Sequence, residues 1–337
     1  MLTKRERLAV WADKLGLSRV LSLVPQRSCL LVLNYHRIGD AAATHYDPGT
    51  FSATAEELDE QMQYLRAHVH VANLKEALDF SIGRPSWKGA AALITFDDGY
   101  RDNYRFAFPV LRAQKVQGVF FLPTSFTGTN RIPWWDRIAY LVRHTARPAL
   151  EIDYPKPARF DLVDGDRLAV LEGLLRIYKS EDTDSVRFLD ALETAAGVPS
   201  VEGERLFLNW DEAREMVRGG MAVGSHTHTH ELLAKLSPDD QFQEVRRSRY
   251  ILQEQLKIPV DTLAYPVGSR KSFSGATFAA LARAGYRAAF SFYGGVNLAD
   301  RTEPYNIRRI AVDAGQPRQL FRAKAALTTF TGKDIIR

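Results

Sequence analysis

Thr95-Phe96-Asp97-Asp98-Gly99, at the end of the apolar run Ala90-Ala91-Ala92-Leu93-Ile94, carries the strongest structural signal in the chain. A short apolar run before a glycine turn is typical of a buried strand, and Gly99 tolerates a sharp bend. Neighbouring side chains within a strand point to opposite faces of the sheet. Asp97 and Asp98 can therefore serve one site only where the strand ends, so the stretch predicts a site at that end.

A second motif, His226-Thr227-His228-Thr229-His230, places three imidazoles in five residues after the apolar stretch Met221-Ala222-Val223-Gly224. One carboxylate with two histidines is the ligand set of a catalytic zinc or a similar metal with an open position. The second carboxylate is then free to act as a base, and this combination indicates a hydrolase. Two alternatives stay open: a site of three histidines without Asp98, and aspartates that only cap a helix.

Strand-like apolar runs alternate with helical patterns along most of the chain. The predicted strands lie at 29–35, 90–95, 118–122, 221–225, 262–265, 286–291 and 307–312. The predicted helices between them lie at 54–67, 102–114, 209–218, 238–256 and 274–284. This alternation predicts the α/β class, with a parallel sheet or barrel covered by helices and the chemistry at the carboxyl ends of the strands. Residues 127–206 break the rhythm and are predicted to be a helical insertion, with helices at about 134–145, 166–179 and 183–195.

Composition excludes some classes of function. The 337 residues carry a formal net charge of +5 and have the apolar content of an ordinary soluble globular protein. No compact block of arginine and lysine with interleaved aromatics is present, so we expect no nucleic-acid partner. Cys29 is the only cysteine, so an intrachain disulfide cannot form.

The N-terminal segment, residues 1–28, predicts an amphipathic helix. Apolar residues recur among charges within 5–24: Leu8, Val10, Trp11, Leu15, Val20 and Leu23. Two interpretations stay open, a helix packed on the domain and a helix at a membrane surface. No stretch resembles a secretory signal or reaches the ~20 apolar residues of a membrane span. We therefore expect a cytoplasmic protein, with peripheral contact at the inner membrane surface as the alternative.

On these motifs the chain resembles the polysaccharide deacetylases, the carbohydrate esterase 4 group that shares the NodB homology domain. Their Thr-Phe-Asp-Asp-Gly motif is matched at 95–99, and their His-Ser/Thr-x-x-His motif is matched at 226–230. A third element, usually of the Arg-Pro-Pro-Tyr-Gly type, corresponds to Ala264-Tyr265-Pro266-Val267-Gly268. The resemblance runs from about residue 29 to 313, and we expect 29–337 to form the deacetylase domain.

The resemblance implies a fold, a reaction and a set of roles. The family fold is a distorted (β/α) barrel of about seven strands, and its reaction removes an N-acetyl group from a hexosamine. Carried over, Asp97 is the general base, while Asp98, His226 and His230 bind a divalent metal. Zinc is the expected metal, with cobalt or nickel as alternatives.

Two departures from the family pattern concern catalytic residues. The arginine that usually opens the third motif is Ala264 here, and Arg309 is the candidate to supply its charge from the next strand. No histidine follows His230, so the usual late histidine acid is absent. Leu33-Asn34-Tyr35-His36, however, resembles the start of the subgroup that deacetylates poly-N-acetylglucosamine. That resemblance makes His36 the candidate general acid.

Four further residues are candidates for contact with substrate. Tyr265 and Val267, with Pro266 between them, are expected to line the acetyl pocket, and the Val267 N–H is expected to stabilise the oxyanion as the family's tyrosine position does. Trp134, beside Trp135, either stacks on a sugar ring or packs its helix.

The expected function is metal-dependent removal of acetyl groups from an amino sugar of a bacterial surface polysaccharide or its lipid-linked precursor. Two alternatives remain. One is another metal amidohydrolase on the same fold, such as a sugar deformylase. The other is a carbohydrate-binding protein that has lost turnover.

Overall fold

The computed structural model describes residues 3–18, 20, 28–163, 165–180, 182–198 and 205–331. The chain divides into two compact units. The first contains Met1–Asp40, Phe51–Thr129 and Phe207–Arg337, and the second contains Ala41–Thr50 and Asn130–Leu206. The predicted insertion at 127–206 overlaps the second unit, to which the sequence did not assign 41–50. The predicted N-terminal segment at 1–28 lies partly outside the described residues.

The described strands are, in chain order, β1 (Cys29–Tyr35), β2 (Arg37–Ile38), β3 (Phe51–Ala53), β4 (His70–Val71), β5 (Ala90–Phe96), β6 (Gly118–Leu122), β7 (Ala149–Ile152), β8 (Ala158–Asp161), β9 (Ala222–Ser225), β10 (Thr262–Ala264), β11 (Ala288–Phe290), β12 (Asn297–Leu298) and β13 (Ile310–Ala311). The described α-helices are α1 (Lys4–Lys14), α2 (Ala55–His68), α3 (Leu74–Ser81), α4 (Phe108–Ala113), α5 (Trp134–His144), α6 (Arg167–Tyr178), α7 (Ser185–Ala196), α8 (Trp210–Arg218), α9 (Pro238–Leu256), α10 (Gly275–Ala284) and α11 (Arg318–Thr331).

A largely parallel sheet forms the centre of the first unit. β5 pairs in parallel with β1 along its whole length, from Cys29↔Ala90 to Tyr35↔Phe96. The parallel pairing continues through β6, β9, β10 and β11. Ile307 then bridges Phe290 of β11, and β13 pairs in parallel with β1, so the backbone returns to its first strand. This closure confirms the predicted distorted (β/α) barrel of about seven strands.

Side chains of β1 alternate between two apolar clusters. Leu31 and Leu33 join the larger cluster, which includes residues of the surrounding helices. Leu30 and Val32 join a second cluster with residues of β5, β6 and β11. Both faces of the strand are therefore buried, as expected for a parallel sheet covered by helices. The face of Leu30 and Val32 also carries Asn34, a polar residue in an otherwise apolar series.

Several helices begin at capping residues that the sequence displays. Thr54 accepts a hydrogen bond from the backbone N–H of Glu57, whose carboxylate accepts one from the Thr54 backbone N–H. Asn209 and Glu212 form the same reciprocal pair before α8. Such boxes satisfy backbone donors that a helix leaves unpaired at its start. The helix predicted at 102–114 is present, and it contains a π-helical turn, Asn103–Ala107, that leads into α4.

The second unit is mainly helical. It contains α5, α6 and α7, as expected at 134–145, 166–179 and 183–195. It also contains an antiparallel hairpin of β7 and β8 that was not predicted. Four-residue strands of mixed polarity carry too little periodicity to be recognised from sequence.

Candidate active site

Asp97 and Asp98 reach the same site because the backbone changes direction between them. Asp97 continues the side of β5 that carries Leu93 and Thr95, and its N–H still donates to the Tyr35 carbonyl at 2.9 Å. Asp98 then takes a φ of 69°, and Gly99 one of 67°. A Cβ at Gly99 would lie 2.7 Å from a methyl carbon of Leu122, so only glycine fits this bend.

The Asp97 carboxylate is held by a buried guanidinium. Arg309, with none of its surface exposed, places Nη1 2.6 Å from Asp97 Oδ1 and Nη2 2.8 Å from Oδ2. Its Nε donates to the Ser291 carbonyl at 3.0 Å. Two parallel charge-assisted bonds orient a carboxylate more strictly than one bond does. The next residue back, Arg308, is exposed, as alternate residues of an extended segment should be.

Asn34 forms hydrogen bonds with this ion pair. Its Oδ1 accepts from Arg309 Nη1 at 2.7 Å and from the Thr95 hydroxyl at 2.9 Å, and its Nδ2 lies 3.2 Å from Asp97 Oδ2. Asn34 therefore contacts both partners of the ion pair at once. This role was not predicted from the sequence, although a polar residue inside the apolar run 29–35 was the available signal.

Asp98, His226 and His230 form a buried cluster whose ligand atoms lie within 4.8 Å of one another. Asp98 Oδ1 lies 3.3 Å from His226 Nε2 and 3.2 Å from His230 Nε2. Ligands about 2.0–2.1 Å from one tetrahedral metal would be about 3.3 Å apart, so these separations fit such an ion. Within the described part of the chain, this is the one group of three such side chains close enough to hold a metal.

The tautomer of His226 is determined by the backbone. Its Nδ1 lies 2.8 Å from the carbonyl oxygen of Ala264, and a carbonyl can only accept a hydrogen bond. Nδ1 therefore carries the proton, and Nε2 of the neutral ring turns its lone pair toward the cluster. A metal-binding histidine is usually oriented in this way through its other nitrogen.

The histidine loop is held in a strained conformation. Thr227 and His230 have φ angles of 65° and 62°, a region that residues with a Cβ seldom occupy. The Thr227 hydroxyl accepts from the His230 N–H at 3.1 Å. On α9, Glu244 accepts from both the backbone N–H and the hydroxyl of Thr229, the latter at 2.8 Å. Glu244 was not predicted from the sequence, because no local pattern separates it from the other polar residues of α9.

Electrostatics favour ionised carboxylates at this site. Burial opposes ionisation of Asp97, but Arg309 and His226 outweigh it and hold the Asp97 pKa below its usual value. Burial also opposes ionisation of Asp98, but the neighbouring imidazoles of His226 and His230 outweigh it and hold the Asp98 pKa well below its usual value. Both aspartates are therefore anionic at neutral pH, as a base and a metal ligand require.

His36 lies at the carboxyl end of β1, where its charge acts on Asp97 and Asp98. The His36 N–H donates to the Ser52 hydroxyl at 3.0 Å, and its ring lies 5.7 Å from that of Phe292. The ring is partly exposed. This position lets a histidine exchange protons with both the site and the solvent.

Of the third-motif candidates, Val267 and Tyr265 occupy different environments. The Tyr265 side chain is buried, stacks on Phe273 at 4.2 Å and donates its hydroxyl to the Tyr305 carbonyl, so its ring serves packing. Pro266 is buried as well, and Val267 is partly exposed with a φ of 61°. Within the described residues, no hydrogen-bond acceptor is assigned to the Val267 N–H.

Trp134 belongs to the second unit. Its ring is 7% exposed and stacks on Tyr178 at 4.0 Å, with Trp135 edge-on at 5.2 Å. These contacts favour helix packing over contact with a sugar ring.

Comparisons with known proteins bear on the fold and the family. A family model described as polysaccharide deacetylase matches residues 86–289, more than half of the chain. Curated protein sequences gave no significant match. The chain is similar in structure to the Streptococcus pyogenes deacetylase PplD in complex with acetate, at a TM-score of 0.56 and 17% identity, covering 92% of this chain and 99% of PplD.

Two further solved structures are similar. IcaB from Ammonifex degensii has a TM-score of 0.56 and 21% identity, over 90% of this chain and 98% of IcaB. A de-N-acetylase from Aggregatibacter actinomycetemcomitans has a TM-score of 0.53 and 18% identity, over 85% and 95%. At these identities the likeness concerns the fold, and the family assignment rests on the match at 86–289, which contains both motifs. The chain therefore belongs to the polysaccharide deacetylase family and is a hydrolase, a carbohydrate deacetylase.

Proposed function

We propose that this protein is a metal-dependent N-deacetylase that acts on an N-acetylated amino sugar of a bacterial surface polysaccharide or its precursor. One observation carries the proposal. Asp98, His226 and His230 converge within 4.8 Å beside a second carboxylate, Asp97, that an arginine holds in place. A ligand set with an adjacent base is the arrangement that metal-assisted amide hydrolysis requires.

Three side chains are the proposed metal ligands: Asp98, His226 and His230. They fit a divalent ion because all are buried and because Asp98 Oδ1 lies from each histidine Nε2 at a separation typical of tetrahedral ligands. The Ala264 carbonyl also keeps the proton of the neutral His226 ring on Nδ1, which leaves Nε2 for the metal. One carboxylate oxygen with two imidazoles suits zinc and also admits cobalt or nickel. When bound, such an ion polarises the amide carbonyl and lowers the pKa of a coordinated water.

Asp97 is the proposed general base. It lies beside the ligand cluster, with Oδ2 3.9 Å from His226 Nε2, so it can accept the proton of a water attacking the amide carbon. Arg309 and Asn34 hold the carboxylate in one orientation. The lowered pKa of Asp97 keeps it deprotonated near neutral pH, since Arg309 and the neighbouring His226 together stabilise the anionic form more than burial destabilises it.

His36 and Val267 are proposed to act later in the reaction. A tetrahedral intermediate expels an amine only if its nitrogen gains a proton, and His36 is the histidine next to the two aspartates that is not a proposed ligand. The Val267 N–H is proposed to donate to the developing oxyanion.

The substrate class is supported by the family and by relatives of the same fold. The matched family acts on polysaccharides, and the similar structures include IcaB and a de-N-acetylase. We propose on this basis, and on the Tyr35-His36 element of the first strand, that the chain belongs with the poly-N-acetylglucosamine deacetylases.

Acetate release from N-acetylglucosamine oligosaccharides and nucleotide sugars, by purified protein of known metal content, tests the proposal. We expect acetate release that chelation abolishes and added zinc or cobalt restores, with Asp98→Asn as the control for contaminating activity. Full turnover without metal would overturn the metal dependence. Formate release from N-formyl sugars, without acetate release, would instead indicate a deformylase.

A further inference from the structure

The solvent-facing side of helix α1 carries large apolar residues of the kind that a helix normally buries. Leu8, Trp11 and Leu15 have exposed fractions of 69%, 63% and 68%, although they are the largest apolar residues of this segment. The small residue Ala9 is the buried one, and it packs with Leu320 and Ala323 of α11. The helix is thus attached to the protein by small side chains and presents its large ones to solvent.

The three apolar side chains form one stripe. At 100° per residue, Leu8, Trp11 and Leu15 fall within about 60° of one another around the helix axis. Lys4 lies on the same stripe one turn earlier, while Arg7 and Lys14 border one side of it and Arg5 the other. All four basic residues are exposed.

The acidic residues of α1 lie on its other side. Glu6 accepts from the Thr3 N–H at 2.8 Å and faces Lys324 of α11. Asp13 is partly buried, and its charge acts on Tyr64 of α2. The exposed ionic groups of α1 are therefore all cationic. The solvent-facing side of the helix thus carries both its positive charges and its large apolar residues.

We propose that this face of α1, defined by Leu8, Trp11 and Leu15 with Lys4, Arg5, Arg7 and Lys14, binds the surface of an anionic lipid bilayer. Cations around an apolar stripe that contains tryptophan match anionic headgroups above acyl chains. An 11-residue helix is about 16 Å long and too short to cross a bilayer, so it would lie in the plane of the interface. No helix of the described residues is long and apolar enough to span a membrane.

A second copy of the chain is the competing occupant of this face. A symmetric contact would set the same patch against itself, which brings four cations of one copy against four of the other. Like charges facing each other oppose such an interface, whereas anionic lipid neutralises them. The charge pattern therefore favours the bilayer. The proposal does not depend on the reaction assigned to the active site.

The test is sedimentation of the full chain with vesicles. One set contains 30% phosphatidylglycerol in phosphatidylcholine, and the other contains phosphatidylcholine alone. We expect binding to the anionic set at least tenfold tighter than to the neutral set, and weakened by 0.5 M salt. Equal binding to both sets, or binding to neither, would overturn the proposal.

Two double variants, each with a matched control, distinguish binding by this face of α1 from nonspecific adsorption of the protein to the vesicles. Trp11→Gln with Leu15→Gln should weaken binding more than tenfold, while Ile82→Gln with Leu168→Gln, exposed apolar residues elsewhere, should not. Lys4→Gln with Lys14→Gln should weaken it about 25-fold, at about fivefold per charge, while Lys88→Gln with Lys156→Gln should not. Melting curves and acetate release from a soluble oligosaccharide should match the parent protein in all four.

The depth of Trp11 in the bilayer and the self-association of the protein can be measured as two further tests. Acyl-chain-brominated lipid should quench fluorescence in the parent protein, and this quenching should fall in Trp11→Phe, which keeps an apolar ring at the same position. Parent-like binding by Trp11→Gln with Leu15→Gln would overturn the proposal. So would a dimer that dissociates on dilution in the parent and is lost in that double variant.

Discussion

Arg309 binds both carboxylate oxygens of Asp97 although 212 residues of chain separate them. Asp97 follows β5, and Arg309 precedes β13, the strand through which the barrel returns to β1. The family's third motif usually supplies an arginine at the position of Ala264. Here the barrel closure brings a guanidinium to Asp97, the proposed base, from another strand.

Removing this guanidinium should impair both stability and turnover. Arg309→Gln leaves a buried carboxylate without its partner, which we expect to cost about 3–5 kcal/mol of unfolding free energy. Arg309→Lys keeps the charge but not the paired geometry, so turnover should fall at least tenfold while the fold survives. Urea denaturation and acetate release measure the two effects. Arg308→Gln, at the exposed neighbour, is the control and should stay within about 0.5 kcal/mol of the parent protein.

Substitutions at the two adjacent aspartates should impair different properties of the protein. Asp97→Asn cannot accept a proton, so kcat should fall by about 10²–10⁴ while the bound metal is retained. Asp98→Asn should instead lower the metal content of the purified protein. Elemental analysis beside acetate release distinguishes them. If Asp97→Asn lost the metal while Asp98→Asn kept both metal and turnover, the roles of base and metal ligand would have to be exchanged.

His36→Ala should discriminate between substrates by their leaving groups. Amide hydrolysis should fall by about 10²-fold or more, because the departing amine needs a proton. Hydrolysis of an aryl acetate should fall much less, because a phenolate leaves without one. His70→Ala, a histidine exposed on the surface of the same unit, serves as the control. Equal losses on both substrates would remove His36 as the acid.

Glu244 should matter for the metal although it is not a proposed ligand. Glu244→Ala removes the acceptor for the Thr229 N–H and hydroxyl, which frees the loop between His226 and His230. We expect metal affinity to weaken by about 10–100-fold, as is typical when a group that orients the ligands is lost. Glu254→Ala, in the exposed last turns of the same helix, should leave metal affinity unchanged. Competition with a chromogenic chelator measures both.

The reactivity of the Cys29 thiol should measure the unfolding of the protein around β1. Cys29 is 1% exposed, and burial raises the pKa of its thiol to about 11. At pH 8 the thiolate would be about one part in a thousand, against about a tenth for an ordinary thiol, and only the thiolate reacts. Labelling with a disulfide reagent should therefore be slow in the native protein and complete in denaturant. Rapid stoichiometric labelling of the native protein would show that β1 opens at this point.

The barrel was predictable because its signals are local. Apolar runs bounded by turns located its seven strands, and helical patterns located helices that begin after the capping residues Thr54 and Asn209. The helix predicted at 102–114 is also present, but a local pattern cannot separate its π-helical turn from an α-helix of the same polarity. The short hairpin of β7 and β8 has too few residues for any period to be visible.

Residue types and chain spacing determined the fold class, the two motifs and the candidate residues Asp97, Asp98, His226 and His230. Only the tertiary structure decided which atoms meet: the pairing of Arg309 with Asp97, the tautomer that Ala264 imposes on His226, and the anchoring of Thr229 by Glu244. It also decided which side of α1 faces solvent. The physical reason is the range of the interactions. Periodicity and turns act over a few residues, whereas these contacts join strands and helices that become neighbours only when the barrel closes.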